Sequence, residues 1–168
     1  MTAGEDAARF DAEDRPIEAI AAYERAIAEG GVPLETYINL ALIYLSCYDP
    51  GFAAFHHIAP ETIEASSHRF DEVLAKAEQQ FGRSPEIEFW RRYLKFFGLG
   101  EPSFYDEARA LANEGAAVAY LHLAGEGPYQ KHTQALLDSV EGARTRKERF
   151  IKSVLESFAL REWWAAGA

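Results

Sequence analysis

The chain has 168 residues and a mass of 18.8 kDa, and it is 48% hydrophobic and 26% charged, values typical of a single globular domain. This composition excludes a disordered chain, and a single cysteine, Cys47, excludes a disulfide scaffold. No run of about 18 apolar residues is present, so we expect no membrane-spanning helix. The acidic N-terminus does not resemble a signal peptide. Together these features predict a cytoplasmic protein.

Charge is unevenly distributed, since 17 basic and 27 acidic residues give a net charge of −10. Residues 1–64 carry 12 of the acidic residues and only three arginines, which accounts for almost all of the excess. A field of this sign repels nucleic acid and speeds association with basic proteins. It predicts either a solvated acidic surface or a face that docks a basic partner.

Apolar residues recur at helical spacing along the whole chain, and no segment alternates apolar and polar residues as a strand does. Proline at the start and glycine at the end of these stripes mark helix limits. In chain order, the stripes after the N-terminal segment predict helices at 16–29, 33–48, 52–58, 60–81, 85–97, 103–113, 116–124, around 136–140, and 145–158. Residues 116–124 are nearly all apolar, so we expect this helix to be the most buried.

These patterns predict an all-α chain of about nine or ten helices. The connections between them are only a few residues long, and short connections make neighbouring helices antiparallel. The expected architecture is therefore a stack of antiparallel helical hairpins.

Two consecutive predicted helices resemble the two helices of a tetratricopeptide repeat. In that repeat, small residues let the paired helices approach closely, while aromatic residues fill the remaining space. The residues that carry the resemblance are Tyr37, Leu40, Ala41 and Tyr44 in the first-helix pattern, and Ala19, Tyr23 and Ala26 in the second-helix pattern. With Ala7 and Phe10 at matching positions, residues 3–31 read as one nearly complete repeat.

The resemblance weakens along the chain, which predicts degenerate repeats in one helical-repeat domain spanning residues 1–168. Residues 1–46 give the best match, 47–68 read as an insertion, and 85–115 read as a degenerate repeat in which Leu94 replaces the small residue. Residues 116–164 are expected to form C-terminal helices outside the repeat pattern.

Two further segments, 86–93 (EIEFWRRY) and 145–157 (TRKERFIKSVLES), are similar to small bacterial helical proteins of toxin–immunity gene clusters. This resemblance implies an immunity protein that neutralises a toxin by binding it. It brings no catalytic motif.

Tetratricopeptide repeats bind extended peptides on a concave face lined by their first helices. By resemblance, the residues expected to face this partner-binding groove are Glu35, Ile38, Asn39, Leu42, Leu45 and, in the degenerate repeat, Arg92. Asn39 stands where clamp-type repeats hold a peptide backbone or a terminal carboxylate, although asparagine also occurs there for packing. Ala8 and Glu88 stand at other clamp positions, so a complete carboxylate clamp is not predicted.

Two other surfaces are candidates for partner binding. The acidic face comprises Asp11, Glu13, Asp14 and Glu18. Aromatic residues crowd between residues 89 and 105, more than one helix face can bury, so some should be exposed as interface anchors. We expect an aromatic surface formed by Trp90, Phe97 and Tyr105.

A basic cluster opens the last predicted helix. Its members are Arg144, Arg146, Lys147, Arg149 and Lys152. Cations are unfavourable at a helix N-terminus unless they are paired. With the chain so acidic, this cluster predicts an intramolecular ion-pair network or a contact to an acidic patch, and no nucleic-acid binding.

No pattern in the sequence predicts catalysis, a cofactor or a metal site. The adjacent His56 and His57 point about 100° apart on a helix, and no second cysteine or metal-binding motif accompanies them. Cys47 at a helix end should be a buried apolar residue, and His122 on an apolar helix a hydrogen-bonded core histidine. An enzyme would need an unrecognised site near His56, His57 and Glu61.

The sequence therefore predicts a non-enzymatic protein-binding module. Its leading form is a bacterial immunity-type protein that sequesters a basic toxin or partner protein. The alternative is a tetratricopeptide adaptor or chaperone that binds an extended peptide in its concave groove.

Overall fold

The computed structural model describes residues 2–159, and within that range it contains helices and no strand, which confirms the all-α prediction. The α-helices are α1 (Ala3–Ala12), α2 (Pro16–Glu29), α3 (Leu34–Cys47), α4 (Pro50–Phe55), α5 (Pro60–Phe81), α6 (Pro85–Leu99), α7 (Tyr105–Asn113), α8 (Gln130–Ser139) and α9 (Arg146–Ala159). Two 3₁₀ helices cover Ala117–Leu121 and Gly127–Tyr129. Among the described residues, none of these helices has both the length and the hydropathy needed to cross a membrane.

The described chain forms two compact units. The first contains residues 2–82 and 144–147, and the second contains residues 83–143 and 148–159. That the chain is one helical-repeat domain stays a prediction. Of the predicted C-terminal helices over 116–164, the part beyond residue 159 lies outside the described residues.

The first unit begins with a capped helix that packs through alanine. The Thr2 hydroxyl accepts the Glu5 backbone N–H at 3.2 Å, and the Glu5 carboxylate accepts the Thr2 N–H at 2.7 Å, a reciprocal cap that fixes the start of α1. The helices α1 and α2 then pack against each other. The small residues predicted for close packing, Ala7, Ala19 and Ala26, are all buried.

Helix α3 is the centre of the first unit. Eleven of its 14 residues are buried, and it packs against α2, α4 and above all α5. The predicted insertion at 47–68 contains α4 and the start of α5, and α5 continues without a break to Phe81. Because apolar residues lie on most faces of α3, neighbouring helices must cover most of its surface.

The second unit is built on the aromatic helix α6, which packs against α7 and the 3₁₀ helix Ala117–Leu121. The prediction that residues 116–124 form an α-helix is wrong, because a 3₁₀ helix takes its place, although most of these residues are buried as expected. Gly115, with a φ of +102°, ends the preceding α-helical path just before this segment.

We expect Ala19→Leu to lower the free energy of unfolding by about 1–3 kcal/mol, because the buried face of α2 has no room for the added atoms. Ala21→Leu makes the same chemical change on the exposed face of α2 and should change stability by about 0.5 kcal/mol or less. Urea unfolding of both variants measures the difference. Equal effects would contradict close packing at Ala19.

Candidate functional site

The end of α1 places a carboxylate inside the first unit. Asp11 is only 1% exposed, and its Oδ2 accepts hydrogen bonds from the Tyr23 hydroxyl at 3.0 Å and from the backbone N–H of Arg146 at 2.7 Å. A buried charge is tolerated only where such partners replace water. Asp11 is therefore a fixed acceptor for the segment 144–147.

The Arg146 side chain is held by two carboxylates and an aromatic ring. Its Nη2 is 3.1 Å from Asp14 Oδ1, its Nε is 3.8 Å from Asp11 Oδ1, and its Cζ lies 5.0 Å from the centre of the Phe52 ring. A planar guanidinium is suited to both kinds of contact. For Arg146, these contacts confirm the predicted ion pairing with an acidic patch. We call Asp11, Asp14 and Phe52 the Arg146 site.

Asp14 is positioned by a left-handed backbone with a φ of +55°, and the Arg15 N–H donates to the Phe10 carbonyl at 2.9 Å to close α1. This helix ending normally uses glycine, and the conformation costs an L-residue about 1–2 kcal/mol. Using aspartate here places a carboxylate between Arg146 and the His56 Nε2, which is 3.4 Å from Asp14 Oδ2. Asp14, in this strained conformation, thus contributes a carboxylate to the Arg146 site.

Asn39 holds the next backbone group of the same segment. Its Oδ1 accepts the Lys147 N–H at 2.8 Å, and the residue is buried. Because α9 begins at Arg146, the N–H groups of Arg146 and Lys147 belong to its first turn, where no intrahelical acceptor exists. Asp11 and Asn39 therefore cap α9 from a distant part of the sequence.

An open cleft of about 590 Å³ lies beside this contact in the first unit. Its lining residues include Asn39 and Thr145 and three acidic residues, Glu5, Glu29 and Glu35. Among the described residues, no lysine or arginine contributes to its lining. We call this space the N-terminal cleft, and its charge suits a ligand that carries positive charge.

The predicted groove residues divide into two sets. Glu35 is exposed and lines the N-terminal cleft together with Asn39. Ile38, Leu42 and Leu45 are buried, which corrects the expectation that they face a ligand. The reason is that α3 is buried over most of its surface, since its apolar residues are not confined to one stripe.

Arg92 belongs to the second unit and has its own partners there. Its Nη1 is 2.6 Å from Glu101 Oε2, its Nε is 3.1 Å from Glu107 Oε2, and its Cζ is 5.3 Å from the centre of the Phe104 ring. It lines a separate depression of about 380 Å³ with residues of α6 and α7. Its side chain therefore joins α6 to α7.

The predicted acidic face is largely compensated within the first unit. Arg15 lies 3.1 Å from a Glu13 oxygen and 2.7 Å from a Glu18 oxygen, and Asp14 pairs with Arg146. Asp11 is buried, which corrects its assignment to an exposed face. Its burial follows from the hydroxyl and backbone donors that surround it.

The predicted aromatic surface is also split. Phe97 is 55% and Tyr105 is 41% exposed, while Trp90 is completely buried, which corrects its assignment to the surface. The Trp90 ring makes edge contacts with Phe89, Tyr93 and Phe150 inside the second unit. Trp90 is therefore a core residue.

His122 is a hydrogen-bonded core histidine, as predicted. It is 7% exposed, its Nε2 accepts the Phe104 backbone N–H at 3.1 Å, and its ring stacks on Phe104 and Tyr105. Burial lowers its pKa to about 4, while the nearby Glu126 opposes this shift and Arg92 adds to it. The neutral ring is thus required for the packing of the second unit.

Cys47 is buried, as predicted, and burial raises the pKa of its thiol to about 11. A thiol in this state is a poor nucleophile. Over the part of the chain that the structure describes, no three His, Cys, Asp or Glu side chains are grouped so that they could hold a metal ion.

A scan of family models, a search of curated proteins and a search of solved structures each give no match to this chain. Its function is therefore interpreted from the contacts around Asp11, Asn39 and Arg146.

We expect His122 to make the second unit sensitive to acid. Its pKa is about 4 in the folded chain against 6.5 in a model compound, so its stabilising effect is complete above pH 6.5 and is lost as the pH falls through 4. The difference between these two pKa values corresponds to a loss of about 3 kcal/mol in the free energy of unfolding between pH 7 and pH 4. The stability advantage of the wild type over His122→Phe should therefore shrink by about that amount between pH 7 and pH 4.

Urea unfolding at a series of pH values gives this comparison. His132→Phe is the matched control, because His132 is an exposed ring of the same unit that stacks on Tyr120. A constant difference between the wild type and His122→Phe across this pH range would contradict the assignment.

Proposed function

We propose that the chain is a non-enzymatic protein-binding module whose N-terminal cleft takes an extended, basic segment of a partner protein. The observation that carries this proposal is the position of Asn39. Asn39 lines the acidic cleft, and its amide oxygen already accepts a backbone N–H from a basic segment of the same chain. The cleft therefore contains a group suited to a peptide main chain and carboxylates suited to its side chains.

Burial of the residues that carry the tetratricopeptide resemblance supports this proposal. The residues at the expected small positions of α1 and α2 are buried, as are the four residues that carry the resemblance in α3: Tyr37, Leu40, Ala41 and Tyr44. In a tetratricopeptide arrangement, the peptide-contacting positions of the first helices line the groove. Glu35 and Asn39 are two such positions, and both line the cleft.

The charge of the cleft indicates the class of ligand. A terminal carboxylate would meet Glu5, Glu29 and Glu35 without a lysine or arginine among the described lining residues. A lysine- or arginine-bearing segment would instead be attracted, and a field of this sign also raises the association rate. An internal or N-terminal basic segment is thus favoured over a free C-terminus.

The predicted immunity-type role is one form of this proposal. The partner would then be a basic toxin that is neutralised because the bound protein covers its functional surface. A peptide-binding adaptor or chaperone is the other form. Glu13, Asp14 and Glu18 are not among the residues that line the cleft, so charge reversal there and substitution of Asn39 test the acidic face and the cleft separately.

We expect the double variant Glu29→Lys/Glu35→Lys to bind the partner about tenfold more weakly at low salt, and the loss to shrink at high salt because ions screen exposed charges. The purified chain is first used as bait in lysate of the source organism, and captured proteins are identified by mass spectrometry. The captured partner is then produced separately and titrated by calorimetry.

Glu61→Lys/Glu64→Lys is the matched control, since it makes the same charge change at exposed positions of α5 outside the cleft. Equal affinity of the cleft variant and this control would contradict the cleft as the binding site. Loss of binding on reversal of Glu13, Asp14 and Glu18, with Asn39→Ala unaffected, would assign binding to the acidic face instead.

A further inference from the structure

We propose that the segment 144–147 is an internal ligand, and that the Arg146 site together with Asn39 recognises an arginine in a basic segment of the partner protein. This inference rests on the proposed function and specifies its ligand. The partner segment would occupy the same contacts that Arg146 and Lys147 make now. The internal segment and the partner segment would then compete for the same site.

The site is supplied by one continuous part of the chain and its occupant by another. Asp11, Asp14, Asn39 and Phe52 lie on or beside α1, α3 and α4, whereas the Arg146 N–H bonded to Asp11 comes from 135 residues further along the sequence. The recognising groups and the occupant are therefore supplied by separate parts of the sequence. This separation is what allows a second chain to supply the same groups.

The contacts define the chemistry of the ligand. The backbone N–H groups of Arg146 and Lys147 donate to two buried side-chain oxygens, and the guanidinium lies between Asp14 and the Phe52 ring. A guanidinium can pair with a carboxylate and stack on an aromatic face at once, whereas an ammonium is a compact charge without a planar face. The site should therefore prefer arginine to lysine.

The position of the site explains why the internal segment would be displaced. Thr145 and Asn39 both line the N-terminal cleft, so a peptide in the cleft that continues past Asn39 reaches the place of Lys147. The Asp14 side chain is 52% exposed and the Arg146 side chain 12%, so a partner arginine enters the site only when Arg146 has left it. A covalently attached occupant acts as a competitor at a millimolar effective concentration. It lowers the apparent affinity in proportion to the fraction of sites it fills.

The test uses the full chain and a fluorescent synthetic peptide with the sequence of residues 142–150, GARTRKERF. We expect Arg146→Ala to bind this peptide about tenfold more tightly than the wild type by fluorescence anisotropy, because the internal competitor has lost its guanidinium. Arg149→Ala removes another arginine of α9 that does not belong to the site and should bind like the wild type. A peptide with lysine in place of the arginine corresponding to Arg146 should bind several-fold more weakly.

A second variant keeps the test decisive if Arg146→Ala unfolds. Arg146→Lys keeps the charge of the internal segment and should give a smaller gain, with circular dichroism confirming the helical content of every variant. Adding Asp14→Asn to Arg146→Ala should cancel the gain. Equal peptide binding by the wild type, Arg146→Ala and Arg149→Ala would overturn the internal-ligand proposal.

The two proposals fail in distinguishable ways. If Glu29→Lys/Glu35→Lys loses the partner while Arg146→Ala gains no peptide affinity, the cleft is retained and the internal ligand is overturned. If Arg146→Ala gains affinity while the partner is bound equally by the cleft variant and its control, the internal ligand is retained and the cleft is overturned as the partner site.

Discussion

The buried carboxylate of Asp11 is the constraint on which the first unit depends. A carboxyl group removed from water must have hydrogen-bond partners around it, and Asp11 obtains them from the Tyr23 hydroxyl on α2 and the Arg146 N–H at the start of α9. The carboxylate therefore fixes the position of α1, α2 and the segment 144–147 relative to one another. Asn39 adds a second such contact on α3. Both contacts are made by side chains to backbone groups, which sets the register of the segment as well as its location.

The distribution of charge follows from these contacts. Part of the negative charge of the first 64 residues is neutralised by ion pairs within the unit. Arg15 pairs with Glu13 and Glu18, and Arg146 pairs with Asp14. The carboxylates of Glu29 and Glu35 instead line a cleft to which no described lysine or arginine contributes. Acidic residues without a basic residue beside them thus line a concave part of the unit. That coincidence is more informative about a ligand than the net charge of the whole chain.

Helix starts marked by proline were predicted best, because the fixed φ of proline acts locally: the structure starts α2 at Pro16 and α6 at Pro85. The limits of α4 and α8 differ from the expected 52–58 and 136–140. Burial was predicted less well, because Ile38 and Leu42 were placed in a groove by the tetratricopeptide resemblance, although the apolar residues on most faces of α3 were a usable signal. Asp11 was placed on the surface because aspartate is rarely buried. Its partner Arg146 lies 135 residues away, and no local pattern connects the two.

Asn39 caps α9, and the proposed peptide binding depends on the same side chain. An amide has an acceptor oxygen and a nitrogen with two donors, and the oxygen is used by the Lys147 N–H. The same residue lines the N-terminal cleft, where donors are what the carbonyl groups of an extended peptide require. An aspartate at this position could also accept the Lys147 N–H, but as a charged group in a buried position it would need further donors in place of water. The neutral amide therefore suits a buried cap, and its donors are also the groups that the proposed peptide ligand would require.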